Sequence, residues 1–102
     1  MSKVLHCSIK EQFLNAIIRG AKRTEYRDMS EYWIKRLVDT SKYNTTDIEK
    51  LCIAICSDPS PKWLHYDQIR FHCANRTAAY QIKKIVCYKH YRCFAIHLGE
   101  KV

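Results

Sequence analysis

Residues 3–9, KVLHCSI, set Val4, His6 and Ser8 against Leu5, Cys7 and Ile9, and this period of two predicts a strand with one buried face. The period then changes. In KEQFLNAIIRG, residues 10–20, Phe13, Leu14, Ile17 and Ile18 fall at helical spacing, and Gly20 is the residue type best able to close a helix in a left-handed conformation. Residues 22–27, KRTEYR, are β-branched and aromatic in the middle and charged at both ends, which predicts an extended segment at a sheet edge or cleft rim. Ser30 or Asp28 then caps a second helix over EYWIKRLVDT, residues 31–40, in which Trp33 and Leu37 lie one turn apart, as do Tyr32 and Arg36. SKYNTTD, residues 41–47, reads as a loop.

Strand patterns fill the rest. EKLCIAICS, residues 49–57, sets Leu51, Ile53 and Ile55 against Cys52, Ala54 and Cys56, as a central strand covered on both faces would. YDQIRFHCA, AYQIKKIVCYK and RCFAIHL follow, separated by DPSPKWLH, NRT and HY. The expected fold is one α+β domain over residues 1–102. It is a small mixed β-barrel of five to six strands with two helices near its mouth, because closure removes exposed sheet edges. A chain of 102 residues has surface enough for one core and not for two.

Charge narrows the choice of partner. The formal net charge is +8, and from residue 58 onward Asp58, Asp67 and Glu100 face Lys62, Arg70, Arg76, Lys83, Lys84, Lys89, Arg92 and Lys101. Such a field favours polyanions, nucleic acid first among them, although a solvated basic surface that only keeps the protein in solution fits as well. No apolar run approaches the ~20 residues of a membrane span, and none at the N-terminus suits a signal peptide. A cytoplasmic protein with no membrane partner is expected, its six cysteines reduced.

The stretch GAKRTEYR carries Gly20, Lys22, Glu25 and Arg27 as G-x-K-x-x-E-x-R, directly after a strand and an amphipathic helix. In this the chain resembles the ASCH family of the PUA-like superfamily. LHCSIKEQFLNAIIRG is similar to that family's first strand and helix, CFAIHLGEKV resembles its closing strand with a glycine just after it, and AYQIKKIVCY stands where such domains have a long barrel strand. The resemblance implies a PUA-like barrel that binds RNA or a modified nucleoside in a cleft beside the motif. Some members are amidohydrolases acting on N4-acetylcytidine, with a lysine, a threonine three residues later and a distant glutamate. Lys22 matches the lysine, but Glu25 occupies the threonine's position, Thr24 lies one residue early, and no glutamate occurs between residues 50 and 99. If the chain is an enzyme, Lys22, Thr24 and Glu25 are its catalytic candidates. Binding without that chemistry is the expectation.

The residues support the same reading physically. A lysine offers a point charge and an arginine a planar fork, suited to phosphate and to base-edge acceptors, while a carboxylate between them accepts from an exocyclic amine. Glu25 and Arg27 share one face of a regular strand, so they either pair with each other or face a cleft. Tyr26 and Tyr32 supply rings on which a base can stack for ~1–3 kcal/mol, and Trp33 is either a further platform or core. The candidate nucleic-acid site is therefore Lys10, Lys22, Glu25, Arg27, Tyr26 and Tyr32, flanked by phosphate-holding Arg76, Lys83, Lys84, Lys89 and Arg92.

No cofactor or metal site is read. Cys52 and Cys56, four apart on a strand, would lie about 13 Å from each other and could not share one ion. The two His-Cys pairs at 6–7 and 72–73 lack a second close-spaced pair nearby in sequence. Besides RNA, an acidic protein held against the basic face remains a partner the sequence allows.

Overall fold

A computed structural model describes residues 3–102. The order of elements is β1 (Val4–Ser8), α1 (Glu11–Ile18), β2 (Thr24–Asp28), α2 (Glu31–Leu37), a 3-10 turn (Thr40–Lys42), α3 (Ile48–Ser57), β3 (Gln68–Cys73), β4 (Arg76–Tyr88) and β5 (Cys93–Lys101). The fold is α+β. Its five strands form one mixed sheet in the order β1-β3-β4-β5-β2, so β2 stands at an end of the order, as its charged flanks predict. β1 runs parallel to β3, with Leu5 opposite Ile69 and Cys7 opposite Phe71, and β3 runs antiparallel to β4, with Ile69 opposite Tyr80.

Three α-helices form rather than two. EKLCIAICS is not a strand: it is α3, and the reason is visible in what it buries. Leu51, Cys52 and Ile55 are buried while Ile53, which a strand covered on both faces would also bury, is 52% exposed. Ile48, Leu51, Cys52 and Ile55 follow the i, i+3, i+4, i+7 spacing of a helix face. Asp47 caps the helix, its carboxylate accepting from the backbone N–H of Lys50 at 3.0 Å.

The chain divides into two compact units, and β2, β4 and β5 each have residues in both. The first takes in the chain up to Glu25, His65–Lys84 and Ile96–Val102. Its core holds Leu5, Leu14, Ile17, Ile69, Phe71, Tyr80, Ile96 and Leu98, and the rings of Phe71 and Tyr80 lie 6.3 Å apart. The second takes in Tyr26–Leu64 and Ile85–Ala95, around Met29, Ile34, Leu37, Val38, Leu51, Ile55 and Phe94.

Two local devices fix these units. In the first, α1 ends in a Schellman turn: Gly20 has φ of +81°, its N–H reaches the Ile17 carbonyl at 3.0 Å, and the Ala21 N–H reaches the Ala16 carbonyl at 2.9 Å. In the second, Asp58 gathers the segment after α3. Its carboxylate accepts from the Tyr43 hydroxyl at 2.9 Å and from the Ser60 N–H at 2.8 Å, and pairs with the Lys42 ammonium at 2.7 Å. These donors, Lys42 foremost, hold the Asp58 carboxyl down to about 2. Burial and the neighbouring Asp58 push the Tyr43 phenol up to about 12.

Gly20→Ala should destabilise the protein by about 1–2 kcal/mol, the cost of a left-handed L-residue. Nothing lies within 4 Å of a Cβ built at Gly20, so urea denaturation reads backbone strain alone, and an unchanged midpoint would refute the turn. For Tyr43 the folded phenol titrates above its ordinary 10.0, so its contribution is whole below pH 10 and disappears as pH rises through about 12. Asp58 works in the opposite sense, contributing above 3.8 and losing that contribution as pH falls toward about 2. Phenolate absorbance of the native protein should include a component titrating near pH 12 that Tyr43→Phe removes.

Candidate functional site

The Schellman turn that closes α1 also aims Lys22. The Lys22 N–H makes a bond of 3.1 Å to the same Ala16 carbonyl that receives Ala21, so the lysine leaves the helix end in a fixed direction. Two residues on, β2 begins, and its alternation turns Glu25 inward. Glu25 is 4% exposed, and its Oε1 accepts from the Lys22 Nζ at 3.0 Å. The Lys22 ammonium also sits 4.8 Å from the centroid of the Phe13 ring. A carboxylate held away from water costs several kcal/mol unless a cation and further hydrogen bonds meet it, and the lysine supplies the charge.

Beside this lysine is an open hollow of about 240 Å³. Ile17, Ile18, Tyr80 and Leu98 give it apolar walls, and Lys22, Arg23 and Lys101 bring cations against the carboxylate of Glu100. The two sides are joined by the backbone: the Leu98 N–H donates to the Arg23 carbonyl at 2.9 Å, which puts the end of β5 alongside the approach to β2. Gly99 lines the hollow where β5 runs close to β4, and a Cβ there would lie 3.3 Å from the Gln81 Cβ. The volume falls below the ~300–1,000 Å³ of sites for drug-sized ligands, so the hollow suits one ring system with its charged substituent outside.

Of the residues singled out in the sequence, Lys22 lines this hollow and Glu25 holds Lys22. Others in the same unit stand apart from it. Lys10 is exposed at the N-cap of α1, Arg76 pairs loosely with Glu11 at 3.7 Å, and Lys83 and Lys84 are exposed on β4. The Thr24 hydroxyl shares a hydrogen bond of 3.2 Å with His97 Nδ1, whereas the Lys22 ammonium is bonded to Glu25. Arg23 and Lys101 were not singled out.

The remaining candidates belong to the second unit. Tyr26 is exposed, its ring 6.4 Å from that of Tyr88. The Arg27 guanidinium lies 5.3 Å from the centroid of half-buried Trp33, and Arg36 lies 4.6 Å from that of exposed Tyr32. Arg92 is bonded to Glu49, and Lys89 is exposed.

Other chemistry-bearing groups also come together. The parallel pairing of β1 and β3 joins the two His-Cys dipeptides, His6 Nδ1 lying 2.8 Å from His72 Nε2, so one ring donates to the other. Among the described residues no group of three or more His, Cys, Asp and Glu side chains is arranged to hold a metal ion. All six cysteines are free thiols, Cys7 and Cys52 buried and the others half-buried. Because α3 is a helix, Cys52 and Cys56 lie one turn apart on one side, and the strand distance that separated them no longer applies. Burial pushes the Cys87 thiol up to about 12, which keeps it from acting as a thiolate nucleophile near neutral pH. No helix of the described residues is long and apolar enough to cross a membrane.

Comparison with models of known protein families, with curated proteins and with solved structures finds no match for this chain.

The ion pair yields a prediction of its own. Lys22→Met should cost about 3 kcal/mol, the lower end for removing one member of a buried pair, and adding Glu25→Gln should recover most of it. Chemical denaturation of the two single variants and the double checks this. Strictly additive losses would show that the two groups do not depend on each other.

Proposed function

We propose that the chain is an RNA- or nucleotide-binding domain of the ASCH and PUA-like kind, a small barrel that receives a single base or nucleotide in the hollow beside Lys22. The observation that supports this most is the composition of the hollow: cations outnumber carboxylates around an apolar floor of base-sized dimensions. A flat heterocycle lies against Ile17, Tyr80 and Leu98, its phosphate reaches Arg23 and Lys101, and an exocyclic amine donates to Glu100. The formal charge of +8 draws polyanions to the protein before any of these contacts form. Six free thiols are in keeping with a reducing, cytoplasmic setting.

Arg23 and Lys101 are the informative positions, because both are exposed and Lys22 is tied to the buried Glu25. The double variant Arg23→Ala, Lys101→Ala should bind short single-stranded RNA more weakly in fluorescence anisotropy, with its melting temperature kept. Two lost phosphate contacts should lower the slope of log affinity against log salt by about 1.4, at about 0.7 per contact on a single strand. RNA binding that is the same in the variant and the parent would remove the proposal. A pull-down that survives nuclease treatment would move the reading to an acidic protein partner, and release of acetate from N4-acetylcytidine would move it to an amidohydrolase.

A further inference from the structure

Three sulfur atoms from distant parts of the chain meet in the second unit. Cys56 Sγ, in the last turn of α3, and Cys87 Sγ, on β4, lie 3.7 Å apart, and the Met29 Sδ lies 3.5 Å from the first and 3.4 Å from the second. We propose that Met29, Cys56 and Cys87 form a trigonal site for a soft monovalent metal ion, copper(I).

The geometry is that of a ligand set. In a triangle with those three sides, the point equidistant from the corners lies about 2.0 Å from each sulfur. A metal–thiolate bond of ~2.3 Å is reached by moving each side chain outward by a few tenths of an ångström. The donor chemistry selects the metal: two thiols and a thioether are soft ligands, which suit copper(I), whereas zinc takes four donors from thiolate, imidazole and carboxylate and does not draw on a thioether. On binding, the two thiol protons leave to solvent as the two thiolates and the thioether bond to the ion, which keeps its oxidation state.

Position and access support the same reading. Met29 is anchored at both backbone groups, its N–H donating to the Arg92 carbonyl at 3.1 Å and its carbonyl accepting from the Cys52 thiol at 3.4 Å. Cys52 therefore steadies a ligand and is not one itself. Cys56 and Cys87 line a second hollow of about 360 Å³, whose rim at Asp58 and Ser60 is pinned by the hydrogen bonds already described. An ion delivered through that hollow meets two thiols first and the buried thioether last.

Copper(I) should be titrated into the reduced protein in oxygen-free buffer against a chromophoric copper(I) chelator. One ion per chain is expected to be withdrawn from the chelator. Cys56→Ser and Cys87→Ser should each weaken binding by more than about 100-fold, beyond the range of changes that only support a ligand, and Cys73→Ser should leave it unchanged. Met29→Leu, a swap of similar volume, should weaken binding about tenfold while circular dichroism stays native. Failure to compete with the chelator, or equal affinity in both serine variants and the parent, overturns the proposal. Should the serine variants fail to fold, X-ray absorption at the copper edge of the parent decides: three sulfurs near ~2.3 Å support the site, and nitrogen or oxygen neighbours overturn it.

Discussion

A carboxylate taken out of water has to be met by a cation, and Glu25 imposes that condition on the front of this protein. Among the described residues it is the one charged side chain that is fully buried. Its partner Lys22 comes from three residues earlier, at the end of α1, so the pair can close only if the chain leaves that helix in the right direction. Gly20 makes this exit, since the Schellman turn needs a left-handed residue there, and the Ala16 carbonyl then takes the N–H groups of both Ala21 and Lys22. A backbone preference at one glycine thus determines where a positive charge emerges beside the hollow. The ion pair has little need to be strongly stabilising in itself to do this; its role is to make every alternative placement of Lys22 costly.

Much of the fold was legible because period and punctuation agreed. For β1, α1, β2 and α2, alternation, helical spacing, a closing glycine and the Ser30 cap pointed the same way, and Ser30 does accept from the Trp33 N–H. For α3 they disagreed. The alternation of Leu51, Ile53 and Ile55 outweighed Asp47, an N-cap residue standing just before the segment, and short apolar runs fit either period. The cap and the Ile48, Leu51, Cys52, Ile55 face were the signals that would have decided it.

The candidate site was legible only in part, for a different reason. Lys22 and Glu25 are close in sequence, and local spacing suggested a polar cluster there, with Glu25 and Arg27 on one face of the strand. Arg23 occupies an unspecified position of the motif, and Lys101 is more than seventy residues away in the chain. What brings them to one hollow is the bond from the Leu98 N–H to the Arg23 carbonyl, a product of strand order that no local pattern encodes. The three sulfurs are hidden in the same way. Cysteine spacing draws attention to pairs a few residues apart, whereas Cys56 and Cys87 stand 31 apart and Met29 falls outside any cysteine count.

The cations around the first hollow differ in how they are held, and this bears on what each would contribute to the proposed recognition of a nucleotide. Arg23 and Lys101 are exposed, so each must be ordered when it meets an anion, at roughly 0.5–1.5 kcal/mol per side chain. Lys22 is already held, by Glu25 on one side and the Phe13 ring on the other, and that cost was met on folding. Its charge is partly offset by Glu25, so the ammonium attracts phosphate less than a free lysine would. It is better suited to donate a hydrogen bond in a fixed direction than to pull in a polyanion. In the proposed recognition of a nucleotide, the exposed cations would then set affinity and its salt dependence, while the fixed one would set which ligand edge can face the wall.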